Sequence, residues 1–136
     1  MAQLLSGECL CGKIKFSGET EIKRVANCHC IDCQKTTGAA FATIVFVNDE
    51  NIKIKGSPRK YSHKSDRGSK MDKHFCENCG SQMFTVNSSR PGIIGLRAGT
   101  LNQKHLIKPG VNVFTDSKIP STKLNLDLPS YSKMPE

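Results

Sequence analysis

The chain has 136 residues, 37% of them hydrophobic and 6% aromatic, with no Trp and a formal net charge of +8. That length suits one domain with a modest core, which metal or covalent staples would reinforce. The longest apolar stretch, Ala39 to Val47, is far too short to span a bilayer, and the start MAQLLSGECLCG lacks the basic opening and long apolar run of a signal peptide; both features point to a soluble, cytoplasmic protein.

Taken in chain order, the body reads as mainly β. Lys13 to Phe16 alternates polar and apolar residues, as a half-buried strand does. Asp32 to Thr37 is a short helical turn ended by Gly38. Phe41 to Val47 is apolar on both faces, the pattern of a central strand. Ile52 and Ile54 alternate again after the turn-like Asn48 to Asn51, so residues 41–55 predict a hairpin. Further strands are expected near 59–62, 70–76, 82–86, 93–98 and 111–115. Residues 117–136 form a Pro-containing tail. Its alternation of Leu124, Leu126, Leu128 and Tyr131 with polar residues predicts docking on a 1–116 domain.

The positive charge is concentrated at Lys53, Lys55, Arg59, Lys60, Lys64, Arg67, Lys70 and Lys73. Such a run is first of all a solvated face, and second a rim that attracts an anionic substrate. Only Tyr61 interrupts it, so it lacks the stacking aromatics of a single-strand binder, and nucleic acid is not the expected partner. A homo-oligomer stays open.

Seven cysteines fall into three clusters: Cys9 and Cys11 in C-x-C-G, Cys28, Cys30 and Cys33 in C-H-C-x-x-C, and Cys76 and Cys79 in C-x-x-C-G. An odd count would leave a disulfide framework one thiol over. Spacings this short aim neighbouring sulfurs at one ion, and structural zinc is commonly held by four thiolates. Seven ligands divide naturally into four and three. The first and last pairs each end in a glycine, Gly12 and Gly80, and so favour one shared ion. The triplet either keeps an open fourth position or is closed by His29, His63, His74 or an acid. Alternation along Cys28-His29-Cys30 turns the His29 ring away from the two sulfurs, toward solvent or a hydrogen bond. His74, just before Phe75-Cys76, is expected beside the four-cysteine site. With two zinc ions and seven thiolates the net charge falls to +5.

A zinc with three thiolates carries net −1 and is a weak Lewis acid. It suits a fourth soft ligand, an incoming thiol held as thiolate, better than it suits hydrolysis. The general acid/base Glu and the Pro-Cys-x-x-Cys turn of zinc deaminases are absent around Cys28 to Cys33.

The order of clusters resembles the glutathione-dependent formaldehyde-activating enzyme family. The matches are Gly7 to Gly12 (GECLCG), Cys28 to Cys33 with Gln34-Lys35 and Thr37 to Phe41, Phe75 to Ser81 (FCENCGS), and Ala98 to Leu101 (AGTL). The resemblance spans residues 4 to about 116. It implies a β-tent of packed antiparallel sheets, with Cys9, Cys11, Cys76 and Cys79 on a structural zinc and Cys28, Cys30 and Cys33 on a catalytic zinc. It also implies condensation of glutathione with formaldehyde to S-(hydroxymethyl)glutathione, a carbon–sulfur lyase reaction. Two rivals stand beside the enzyme. One is a non-catalytic zinc-scaffolded module for protein or chromatin partners, and the other is a redox sensor at the triplet.

Overall fold

The computed structural model describes residues 1–135, and its chain is mainly β. Ten strands form: β1 (Gln3–Glu8), β2 (Lys15–Thr20), β3 (Arg24–Cys28), β4 (Ala42–Asn48), β5 (Lys53–Lys55), β6 (Arg59–Lys64), β7 (Lys70–Phe75), β8 (Gln82–Asn87), β9 (Ile93–Arg97) and β10 (Val111–Val113). The single α-helix, α1, spans Ile31–Thr37 and ends at Gly38, whose left-handed φ of 70° suits glycine. Among the described residues no helix is long and apolar enough to cross a membrane.

The strands make two sheets. A three-stranded sheet has the order β1-β2-β5, and a seven-stranded sheet has the order β10-β3-β4-β9-β8-β7-β6. Neighbours are antiparallel except β10, which runs parallel to β3. The strands expected from 59 onward appear within a residue or two of their predicted bounds.

Residues 41–55 do not form the predicted hairpin. β4 pairs with β3 on one side and β9 on the other, whereas β5 pairs with β2 in the smaller sheet. A 3-10 turn over Asp49–Asn51 carries the chain from one sheet to the other. Alternation identified both strands but held no information about their partners. β1 and β3 were not predicted; their sequences, QLLSGE and RVANC, break alternation with Gly, Ser and Asn.

The two faces of the large sheet serve different ends. Val45 and Val47 of β4, with Met83, Phe84, Ile94 and Leu96, pack with Leu5, Ile14 and Phe16 of the small-sheet region in the main core. Each such side chain contributes about 1.5–3 kcal/mol on burial. Ala42 and Ile44 join Ala26, Cys28, Cys33, Val111 and Val113 in a second cluster, against which Phe46 packs. The apolar double face of β4 therefore covers one core side and one side that borders a cavity.

The tail runs alongside β10 through its backbone. Asn112 N–H donates to Pro129 O at 2.9 Å, and Tyr131 N–H donates to Asn112 O at 2.9 Å. The Asn112 amide also reaches Ser130 Oγ and Asn125 O. Of the four residues in the leucine pattern, Leu124 and Leu128 are half-buried, whereas Leu126 is 88% exposed and Tyr131 41%. Met134 is the tail side chain that packs against the second cluster.

The small sheet lies close against the crossover turn. A Cβ on Gly18 would sit 1.9 Å from Asn51 O, a backbone atom that cannot swing aside. Gly18→Ala should therefore cost about 1–3 kcal/mol, read as a lower urea midpoint with an unchanged m-value.

Candidate functional site

The first cysteine group is built from two matching turns. Cys9 N–H donates to Ile14 O at 3.0 Å, and Cys76 N–H donates to Ser81 O at 2.9 Å, so each turn is closed by the same five-residue bond. Gly12 (φ 80°) and Gly80 (φ 78°) take the left-handed conformation these turns need. Leu10 N–H then reaches Ser81 Oγ across the gap at 3.1 Å. The four sulfurs of Cys9, Cys11, Cys76 and Cys79 lie within 4.8 Å of one another. Cys11 Sγ is 3.6 Å from Cys9 Sγ and 3.7 Å from Cys76 Sγ. A tetrahedron with metal–sulfur bonds of about 2.3 Å has edges of about 3.8 Å, so the sulfurs fit a metal of that kind. Ile14 N–H donates to Cys9 Sγ at 3.3 Å. The Ser81 hydroxyl and backbone N–H hold the Cys79 thiol down to about 5, as a metal ligand requires.

Cys28, Cys30 and Cys33 form the second group, again with all sulfurs within 4.8 Å. Cys28 ends β3, Cys30 caps α1, and Cys33 lies in the helix's first turn. Cys33 N–H donates to Cys30 Sγ at 3.2 Å. Gln34 anchors the helix: its Nε2 donates to His29 O at 2.8 Å and to Ser117 O at 2.9 Å. Hydrogen bonds from the Cys28 and Cys30 thiols, then the charges of Arg97 and Lys73, hold the Cys33 thiol well below its usual range. The same bonds to Cys30 and Cys33, with burial, push Cys28 far up. None of the seven cysteines forms a disulfide.

None of the histidines weighed as a fourth ligand joins either group. The His29 ring does turn away from the sulfurs, but into the protein rather than into solvent. It is 2% exposed, stacks on Phe41 at 4.8 Å, and its Nδ1 has no partner among the described residues. His74 stacks on Phe84 at 4.3 Å on the strand leading to Cys76. His63 Nδ1 lies 3.8 Å from Asp32 Oδ2.

The triplet opens on a cavity of about 610 Å³ between α1, the tail and one face of the large sheet. Ile44, Phe46 and Val113 give it apolar walls, and His63 lines it too. Of the eight clustered cations read from the sequence, only Lys64, Arg67 and Lys73 line it. Arg24, Arg90, Arg97 and Lys133 join them from distant parts of the chain. Sequence reasoning missed these. The available signal was an arginine ending the apolar run IIGLR.

Arg97 is only 6% exposed. Its Nη1 is 3.9 Å from Cys33 Sγ, its Nη2 donates to Thr85 Oγ1 at 3.1 Å, and its Nε has no partner. Lys73 is 3% exposed, and its ammonium makes no hydrogen bond or salt bridge among the described residues.

A β-rich chain with two sulfur clusters, each able to hold a metal ion, one of them bordering a cationic cavity, defines a class of metal-binding β-proteins. Within that class, the family model for the glutathione-dependent formaldehyde-activating enzyme matches residues 4–117, and the chain belongs to that family. A curated relative from Aspergillus terreus, named "Putative glutathione-dependent formaldehyde-activating enzyme", is 27% identical over 77 residues. That match covers 57% of this chain and 40% of the relative. The crystal structure of a Rhodobacter sphaeroides protein shares the fold at a TM-score of 0.57 and 19% identity, covering 76% of this chain and 96% of its own.

Gln34 ties the triplet turn to the start of the tail. Gln34→Ala should cost about 1–2 kcal/mol and make the chain near Ser117 more sensitive to limited proteolysis.

Proposed function

We propose that this chain is a zinc-dependent enzyme of the carbon–sulfur lyase type. It binds glutathione or a similar small thiol beside Cys28, Cys30 and Cys33 and joins it to formaldehyde or a related electrophile. The observation that carries this reading is the convergence of three sulfurs at the floor of a cavity lined by buried cations. We assign Cys9, Cys11, Cys76 and Cys79 to a structural zinc that links the two sheets, and the triplet to a second, catalytic zinc.

Cys28, Cys30 and Cys33 would hold the zinc, which when bound would supply a fourth position able to keep a thiol as its thiolate. The reaction forms a C–S bond while the thiol proton ends on the former carbonyl oxygen, so no oxidant or reductant is needed. Arg97 and Lys73 offset the negative charge that an added thiolate brings to the three cysteines. Val113, beside Cys28, and Ile44, opposite Ala26, keep this part of the cavity apolar, which strengthens that attraction by excluding water. Holding thiol and aldehyde together is the main gain in rate on offer.

Zinc-loaded protein should carry two ions per chain, and glutathione should change the absorption of the cobalt-substituted form. Cys76→Ser should lose at least about 4 kcal/mol of stability and aggregate. Cys30→Ser should leave the fold largely intact and abolish the glutathione response. One ion per chain with no response to thiol would leave a scaffolded binding module instead.

A further inference from the structure

The cavity has a second charged end that chemistry at the cysteines does not use. Arg24 opens β3 and Cys28 closes it, and both line the cavity. Four residues of strand separate their Cα atoms by roughly 13 Å. Arg24 stands opposite Phe46, and Phe46 opposite Gly95, so this end lies along the row where β9 has no side chain. Arg90 enters from the turn before β9. Arg24 and Arg90 are half-buried, and among the described residues neither guanidinium has a salt bridge or a side-chain hydrogen bond. Arg67 stands with them and donates from Nη2 to Met134 O at 3.2 Å.

Among the described residues the acids lining the cavity are Asp32, 3.8 Å from His63, and Asp66. Burial, and then repulsion from Arg24 and Arg67, lower the Arg90 pKa. Like charges gathered in a cavity weaken the fold, and an anion seated among them turns that repulsion into charge-assisted hydrogen bonds. Guanidinium groups suit carboxylate, sulfonate and phosphate oxygens in particular.

We propose that Arg24 and Arg90 form an oxyanion site at the end of the cavity away from the cysteines, which selects a thiol carrying a remote acidic group. This deepens the thiol reading above and rests on it for the identity of the ligand's other end. The chain then distinguishes its substrate twice, by sulfur at one end and by an oxyanion at the other.

Two measurements on zinc- or cobalt-loaded full-length protein test the site. Sodium sulfate, compared with chloride at matched ionic strength, should raise the wild-type Tm by about 3 °C more than that of an Arg24→Gln/Arg90→Gln variant. The variant alone should melt no lower than wild type, because it loses repulsion; a marked fall would give the arginines a structural role and overturn the inference. In the cobalt form, mercaptohexanoate should bind about tenfold tighter than mercaptohexanol, and the variant should bind both equally. Equal affinity in the wild type, or a sulfate shift that survives in the variant, would overturn it. If neither thiol alters the cobalt spectrum, the thiol reading falls, and the sulfate shift alone decides whether the oxyanion site exists.

Discussion

The two-residue period of the seven-stranded sheet is the constraint on which the rest of this structure depends. In β9, Ile94 and Leu96 enter the main core, while Gly95 and Arg97 line the cavity. A register slip of one residue would exchange these sets. Arg97 would then point into the main core, away from Cys33 and Thr85, a charge buried at severe cost. Gly95 fits the same logic. A Cβ there would press Ile44 Cγ2 at 2.8 Å and Phe46 Cε1 at 3.2 Å, so the missing side chain keeps the cavity floor low. In β3 the alternation places Arg24, Ala26 and Cys28 on the cavity side and Val25 in the core.

A sheet with one face given to a cavity has only the other face with which to build a core, and that face needs a cover. The cover is the three-stranded small sheet. Leu5 and Phe16 fill the interface. The two cysteine turns join the sheets at one edge: the first follows β1 of the small sheet, and the second follows β7 of the large one. Cys11 and Cys76, whose sulfurs meet at 3.7 Å, are 65 residues apart in sequence, so a metal held there closes a long loop.

Much of this was legible in the sequence because it rests on local signals. Short Cys spacings with Gly12 and Gly80 marked the two turns, and each turn closes with a bond from the first cysteine's N–H to the carbonyl five residues on. Strands from Arg59 onward lie where they were expected, and Gly38 marks the end of α1. Pairing was not legible, because alternation names a face and never a partner. Residues 41–55 were therefore read as a hairpin although a 3-10 turn sends β5 to the other sheet. The cavity charges were hidden for a related reason. Lys53 to Lys73 form a contiguous run, yet five of its eight cations point away from the cavity, and Arg24, Arg90 and Arg97 meet only through long-range register. The tail's leucines suggested docking by apolar contact, whereas Asn112 carries it with backbone and amide hydrogen bonds.

The three cysteines of the triplet are not equivalent, and the asymmetry links stability to chemistry. Cys33 is buried, lies 3.9 Å from the Arg97 guanidinium, and bears the negative charge most readily. Cys30 is partly exposed and caps the helix. A buried cation is tolerated where an opposite charge meets it, and breaking such a pair leaves the survivor uncompensated. Arg97 and Lys73 therefore need Cys33 more than they need Cys30. Charge at Cys33 belongs to the fold, whereas charge added at the triplet by the proposed thiol would belong to the ligand. The same two cations meet both demands, and this is how a site built for a negative sulfur can gain another without unfolding the sheet that carries it.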